Sequence, residues 1–327
     1  MKSCLQLASI LVLAFFSMSF THHDDGTVRD RKSVIALMDS VENIMDDDAP
    51  YADSLVKLID PHSLKTKKLK ARYALLYTAA EYKNYQPFTS DSLIMEAVNY
   101  YSKKRNIDYR FLSYYYLGCV YLELGRMKDA SKALTQADIL SDRIKNDFWK
   151  GLLFARLAFI YRKFNNFNYA ENYSNKAYLC FDNVGKEEHK YKSFFNYALC
   201  KMDKNQYKEA VPLFQEIQAW ADETNDSVFC EEVIYQRFAC YLYLGEIDNA
   251  TLLYNDYIST HECIINYVFY YVYLAWYFDQ IKDYSKSDFY LNEANKCSLT
   301  SADSIYWFYF NSKFAQSRED TELALQY

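Results

Sequence analysis

Five histidines, at 22, 23, 62, 189 and 261, are the chain's only side chains that ordinarily titrate near neutral pH. None stands in a metal or catalytic spacing: there is no HExxH and no Cys/His ligand pattern. His22-His23-Asp24-Asp25 has the donor types for a metal ion but lies in an N-terminal stretch of the kind that stays loose. Glu187-Glu188-His189 reads as a loop between repeats. Gly118, Gly125 and Gly245 fall at helix-packing and turn positions, not in a phosphate-cradling loop. No serine sits in a nucleophile elbow. The expectation is therefore no enzyme, no metal, no cofactor and no small-molecule substrate. Beyond Cys4 seven cysteines remain, an odd number without a CxxC, and all lie inside apolar helical patterns. Buried free thiols are expected there in place of a disulfide framework.

The elements around these residues are helices. Half of the 327 residues are hydrophobic, 18% are aromatic, and six Gly and four Pro supply too few turns for an all-β fold. Tyrosine, at 34 copies, has an apolar body and a polar tip that suit the half-exposed faces of stacked helices. Net charge is −6 with Lys and Arg dispersed, so the clustered positive charge that binds nucleic acid is missing. Residues 1–19 carry Lys2, an apolar stretch from Leu5 to Phe16, and Ser17 and Ser19 at −3 and −1 of a cleavage site. This predicts an export signal.

The strongest pattern is aromatic-x-x-Leu-Gly/Ala-x-x-Tyr, then an Ala nine residues later. It reads Tyr114, Leu117, Gly118, Tyr121, Ala130, and again Phe154, Leu157, Ala158, Tyr161, Ala170. Looser copies are Phe194, Tyr197, Ala198, Ala210; then Ile234, Phe238, Tyr241, Ala250; then Tyr271, Leu274, Ala275, Phe278, Ser287. The small residue of the second helix recurs at 130, 170, 210, 250 and 287. A single chain with this period is read as a stack of antiparallel helix pairs, small residues letting the two helices approach and large ones locking them.

These residues resemble the tetratricopeptide (TPR) signature, whose unit is about 34 residues, so each copy here carries a few more. The resemblance implies an all-α, α-α superhelix (solenoid) of TPR-like antiparallel helix pairs. The expected layout is a signal peptide at 1–19, divergent TPR-like pairs at 27–106, five repeats at 109–300 and a partial terminal repeat at 301–327. The whole is similar to exported TPR proteins of Gram-negative gut bacteria, through Met45 to Leu55 (MDDDAPYADSL) and Ala71 to Thr78 (ARYALLYT). That resemblance places the chain in the periplasm or cell envelope.

In the TPR family the first helix of each pair lines a concave groove. Carried over here, its groove positions give Tyr115, Phe159, Arg162, Phe195, Tyr235 and Trp276 as partner-binding residues. The Lys/Asn pair of carboxylate-clamp TPR modules is absent, so an apolar peptide or protein segment is the expected ligand. The alternative is a sensory or regulatory input domain whose output module is encoded elsewhere. The last segment, with Trp307, Phe310 and Phe314, leaves an apolar end for a homodimer or another protein to cover.

Overall fold

The computed structural model describes residues 27–260, 268–297, Phe310 and Phe314. The signal-peptide reading of residues 1–19 lies outside them, as does nearly all of the partial repeat. Among the described residues the chain is all α, a TPR-like solenoid of consecutive helix pairs, with one isolated parallel bridge between Val28 and Ile59. The chain divides into two compact units, residues 1–145 and 146–327.

The first unit holds α1 (Arg31–Ile44), α2 (Ala49–Lys57), α3 (Lys67–Lys83), α4 (Ser92–Tyr101), α5 (Ile107–Glu123) and α6 (Met127–Ser141). Side-chain caps start several of them: Asp30 accepts from the amides of Lys32 and Ser33, Asp48 from that of Tyr51, and Asn106 from that of Tyr109. Three helices are tied by one charged network. Arg72 of α3 donates to both carboxylate oxygens of Glu42 (2.9 and 2.7 Å) and to Asp39 (2.6 Å) on α1, and the Tyr109 hydroxyl of α5 donates to Glu42 at 2.6 Å. Burial, then this bond to Glu42, pushes the Tyr109 pKa up to about 12.

The second unit holds α7 (Asp147–Lys163), α8 (Phe167–Asn183), α9 (Glu187–Asp203), α10 (Tyr207–Thr224), α11 (Ser227–Leu244), α12 (Ile247–Leu253), α13 (Val268–Gln280) and α14 (Tyr284–Lys296). A π-helical segment, Tyr254–Ile258, continues α12. Glu187-Glu188-His189 is the first turn of α9, not a loop, and the imidazole lies against Phe148 and Phe181.

One turn recurs in every repeat from α5 onward. One or two residues after the first helix ends, a residue is left-handed: Gly125, Asn165, Asn205, Gly245 and Lys282, with φ between 55° and 71°. Each time the next amide donates back to the carbonyl five residues earlier, for example Arg126 to Tyr121 (2.8 Å) and Glu246 to Tyr241 (2.9 Å). This bond satisfies carbonyls that the helix end leaves open and reverses the chain. The hairpin then closes on small residues. A Cβ placed on Gly118 would stand 2.4 Å from Cγ of Leu134 on the returning helix, and one on Gly151 would stand 2.8 Å from the Phe181 ring. The six described cysteines are free, Cys119, Cys200, Cys230 and Cys240 being buried.

Gly118→Ala should lower unfolding free energy by about 1–3 kcal/mol, the usual cost of overpacking a filled core. Leu134→Ala should cost less in the Gly118→Ala background than in wild type, a coupling read in urea titrations. The Glu171 carboxyl supplies a pH test. Burial raises its pKa, but hydrogen bonds from Lys201 and Lys204 outweigh burial and hold it below the usual 4.5. A depressed carboxyl stabilises the fold above its unfolded pKa and loses that contribution as pH falls through its folded pKa. The stability gap between wild type and Glu171→Gln should therefore narrow below about pH 4.5 in thermal melts, not widen.

Candidate peptide-binding face

The groove residues named from the sequence separate into two groups. Tyr115 of the first unit is buried, with Phe111 stacked 6.4 Å away and Tyr116 edge-on at 5.1 Å. Phe195 is buried edge-on between Phe214 and Phe229, at 5.8 and 5.3 Å. Tyr235 is buried with its ring stacked on Tyr270 at 3.9 Å and 1°. These three rings hold helices together and cannot meet a ligand without repacking.

Phe159, Arg162 and Trp276 remain within reach of solvent. Phe159 is 41% exposed on α7, one turn before Lys163, whose ammonium lies 5.7 Å from the ring centre. Arg162 reaches from α7 to α9, its Nε donating to Asp203 Oδ2 at 2.6 Å. Trp276 of α13 is half-buried, edge-on to Tyr243 at 4.9 Å and 5.7 Å from Phe310. Within the second unit the first helices α7, α9 and α13 thus offer, between them, one exposed ring, one half-covered indole and an ion pair that lies between these two in sequence.

Glu232 of α11 stands at a groove position of the same repeat frame. Burial raises its carboxyl pKa, and Arg162 is the charge that opposes the rise. Tyr243 is a further exposed ring that the sequence reading passed over; it is 38% exposed, stacked on Tyr207 at 4.7 Å, and precedes the turn glycine by two. Its signal was available, because it stands forty residues after Asp203 in the same frame. At the end of the chain Phe310 and Phe314 are buried in the core of the second unit, so the chain itself covers these two rings of the apolar last segment. Among the described residues no group of three His, Cys, Asp or Glu is placed to hold a metal ion, and no helix is long and apolar enough to cross a membrane.

No protein-family model and no curated protein matches the chain. Solved structures do. The quorum sensor NprR from B. thuringiensis, in its apo form, superposes with a TM-score of 0.69 at 15% identity over 87% of this chain and 82% of that one. NprR in complex with its cognate peptide NprX gives 0.64 at 14%, over 91% and 88%. Apo RapI gives 0.66 at 15%, over 90% and 84%. Aspartyl phosphate phosphatase F from Bacillus subtilis gives 0.54 at 14%, over 89% and 77%. At these identities the likeness is one of fold.

Several sequence expectations are corrected by these matches. The similar structures named above are NprR, RapI and an aspartyl phosphate phosphatase, those with a stated organism coming from B. thuringiensis and Bacillus subtilis, not exported TPR proteins of Gram-negative gut bacteria. The signal-peptide, periplasm and Gram-negative envelope readings fall with that resemblance. They rested on residues 1–19 (Lys2, the apolar stretch from Leu5 to Phe16, Ser17 and Ser19) and on two short segments, 45–55 and 71–78, and on no contact within the fold. The expectation of no enzyme is also withdrawn, because a phosphatase is built on the same fold and a helical repeat therefore does not exclude catalysis.

Burial sorts the rings by what their loss costs. Phe159→Ala should leave unfolding free energy within about 0.5 kcal/mol of wild type, as expected at the surface. Phe195→Ala and Tyr235→Ala should each cost about 3–5 kcal/mol in denaturant titrations.

Proposed function

We propose that this chain binds a peptide or protein segment along the first-helix face of its second unit, with Phe159, Trp276 and Tyr243 as apolar anchors. The observation that carries the reading is the division of the aromatic residues. Phe195 and Tyr235 are consumed by helix packing, whereas Phe159 stays exposed beside the Lys163 ammonium and Tyr243 stays 38% exposed against the rings of Tyr207 and Trp276. An exposed ring flanked by polar groups is the usual anchor of a binding patch. Covering one large side chain is worth about 1.5–3 kcal/mol, so three anchors supply a useful share of what association costs. The Arg162–Asp203 pair and the Glu232 carboxyl would set the polar requirements of the ligand.

The fold supports this reading, since NprR, which shares it, is a quorum sensor solved with its cognate peptide. The same comparison favours the regulatory alternative, in which ligand binding reports to a separate output. The five-repeat division of residues 109–300 remains part of the proposal. The two described rings of the last segment are already covered, so the ligand proposed is a peptide or protein segment and not a second copy.

A peptide selected on the immobilised chain from a random library provides the probe. Its affinity, measured by fluorescence anisotropy, should fall about tenfold or more in Phe159→Ala and in Trp276→Ala, because tenfold corresponds to about 1.4 kcal/mol. Phe289→Ala, an equally exposed ring on a second helix, should bind as wild type does. Equal losses in all three variants would remove the first-helix face as the site.

A further inference from the structure

The charges of the first unit are sorted by end. Its helices alternate in direction, so the hairpin turns at 45–48, 84–91 and 124–126 lie at one end, and the chain's entry at 27–30 and the connections at 58–66, 102–106 and 142–145 lie at the other. Contacts between repeats hold both ends. At the turn end Lys83 pairs with Asp46 (2.8 Å) and Arg126 with Asp91 (3.1 Å). At the connection end the Val28 amide donates to the Leu58 carbonyl (2.6 Å), Arg29 pairs with Asp60 (2.7 Å), and the rings of Tyr101 and Tyr109 stand 5.0 Å apart. Helices of 17 residues, α3 and α5, separate the ends by about 25 Å, beyond the roughly 8–10 Å over which salt screens charge.

The connection end is basic. Lys65, Lys67, Lys68 and Lys70 precede or begin α3, and Lys103, Lys104 and Arg105 lead into α5. Arg31, Lys32, Arg143 and Lys145 belong to the same end, and every one of these side chains is exposed. No ion pair ties any of them to a carboxylate among the described residues; Lys65 reaches the His62 carbonyl (3.5 Å) and Lys104 lies over the Tyr100 ring (4.9 Å). Elsewhere in the unit Arg72, Lys83 and Arg126 each have a carboxylate partner. Of the aspartates at this end, Asp60 is engaged by Arg29 and Asp30 by the first amides of α1, and Asp108 and Asp142 leave a clear excess of positive charge. The turn end carries Asp46, Asp47 and Asp48 instead. These cations are scattered in the sequence and gathered only by the fold.

Two exposed aliphatic side chains flank them. Leu58 follows α2 at 37% exposure, and Ile139 stands two residues before the end of α6 at 67%. The exposed rings of the unit, Tyr51 and Tyr85, are at the turn end. Lysine is a mobile point charge, suited to a diffuse negative surface more than to one shaped anion. Single-stranded nucleic acid is held by exposed rings that stack its bases, whereas aliphatics beside lysines suit the boundary between lipid headgroups and acyl chains. The chain as a whole carries −6, so an anionic surface is met favourably only where positive charge is gathered.

We propose that the connection end of the first unit docks on the surface of a membrane rich in anionic phospholipid, with Lys67, Lys68, Lys103 and Arg105 over the headgroups and Ile139 set among them. The contact is peripheral, since no helix among the described residues is long and apolar enough to span a bilayer. It lies in the first unit and does not rest on the peptide-binding reading.

The test is co-sedimentation of the full chain with vesicles of phosphatidylcholine alone and of equal parts phosphatidylcholine and phosphatidylglycerol. The wild type should bind the anionic vesicles about tenfold or more tightly than the neutral ones, and lose that preference as salt rises. Lys67→Gln with Lys68→Gln should weaken anionic binding about tenfold or more, with melting unchanged because both side chains are exposed. Lys128→Gln with Lys132→Gln removes the same charge near the turn end and should bind as wild type does. Ile139→Ser should weaken binding at every salt concentration. Equal binding to the two vesicles would overturn the proposal, as would equal losses in the two lysine pairs. Tighter capture of a duplex oligonucleotide through Lys67 and Lys68 would overturn it as well.

Discussion

Closure of each helical hairpin on a small residue is the constraint from which the rest of this structure follows. Helix backbones approach closely only where one partner lacks a side chain of any length, as at Gly118 facing Leu134. The left-handed turn fixes which residues face each other, since it reverses the chain after a set number of residues and ties the reversal with one backbone bond. With the two helices locked, their large side chains have two destinations: the seam with the neighbouring helix, or solvent. Tyr235 takes the first and Phe159 the second.

The same constraint shows what happens when it is relaxed. Phe238 stands in the place of a small residue and is fully buried, and the partner helix of that pair passes from α to π after Leu253. A repeat array tolerates this because each unit mainly meets its neighbours, and a local change of one hairpin is absorbed by the next. Tyr254 is taken up in that way by Tyr277 and Phe278.

The period of forty was legible because small residues at 130, 170, 210 and 250 recur where helices must touch. A second signal is as clear: Gly125, Asn165, Asn205 and Gly245 are the residue types that accept the left-handed turn. Lys282 hides the fifth copy, since nothing about lysine announces that conformation. Which rings would be free was not legible. Phe159 and Phe195 are the same residue type on equivalent helices, one turn apart in the repeat, and Phe195 is the one covered, by Phe214 and Phe229. The address read from residues 1–19 and the exclusion of enzymes had no such geometric footing, and the comparison with NprR, RapI and the phosphatase reversed both. A fold this general carries its function in particular side chains.

The claim at the centre of this account is that hairpin closure leaves the first-helix face of the second unit as the place where a ligand lies. Site-specific photo-crosslinking tests it most directly. A benzophenone side chain introduced at position 159 on α7 should capture a bound library-selected peptide in high yield, and one at position 179 on α8, where Leu179 is 50% exposed, should not. Capture at 179 with none at 159 would contradict it.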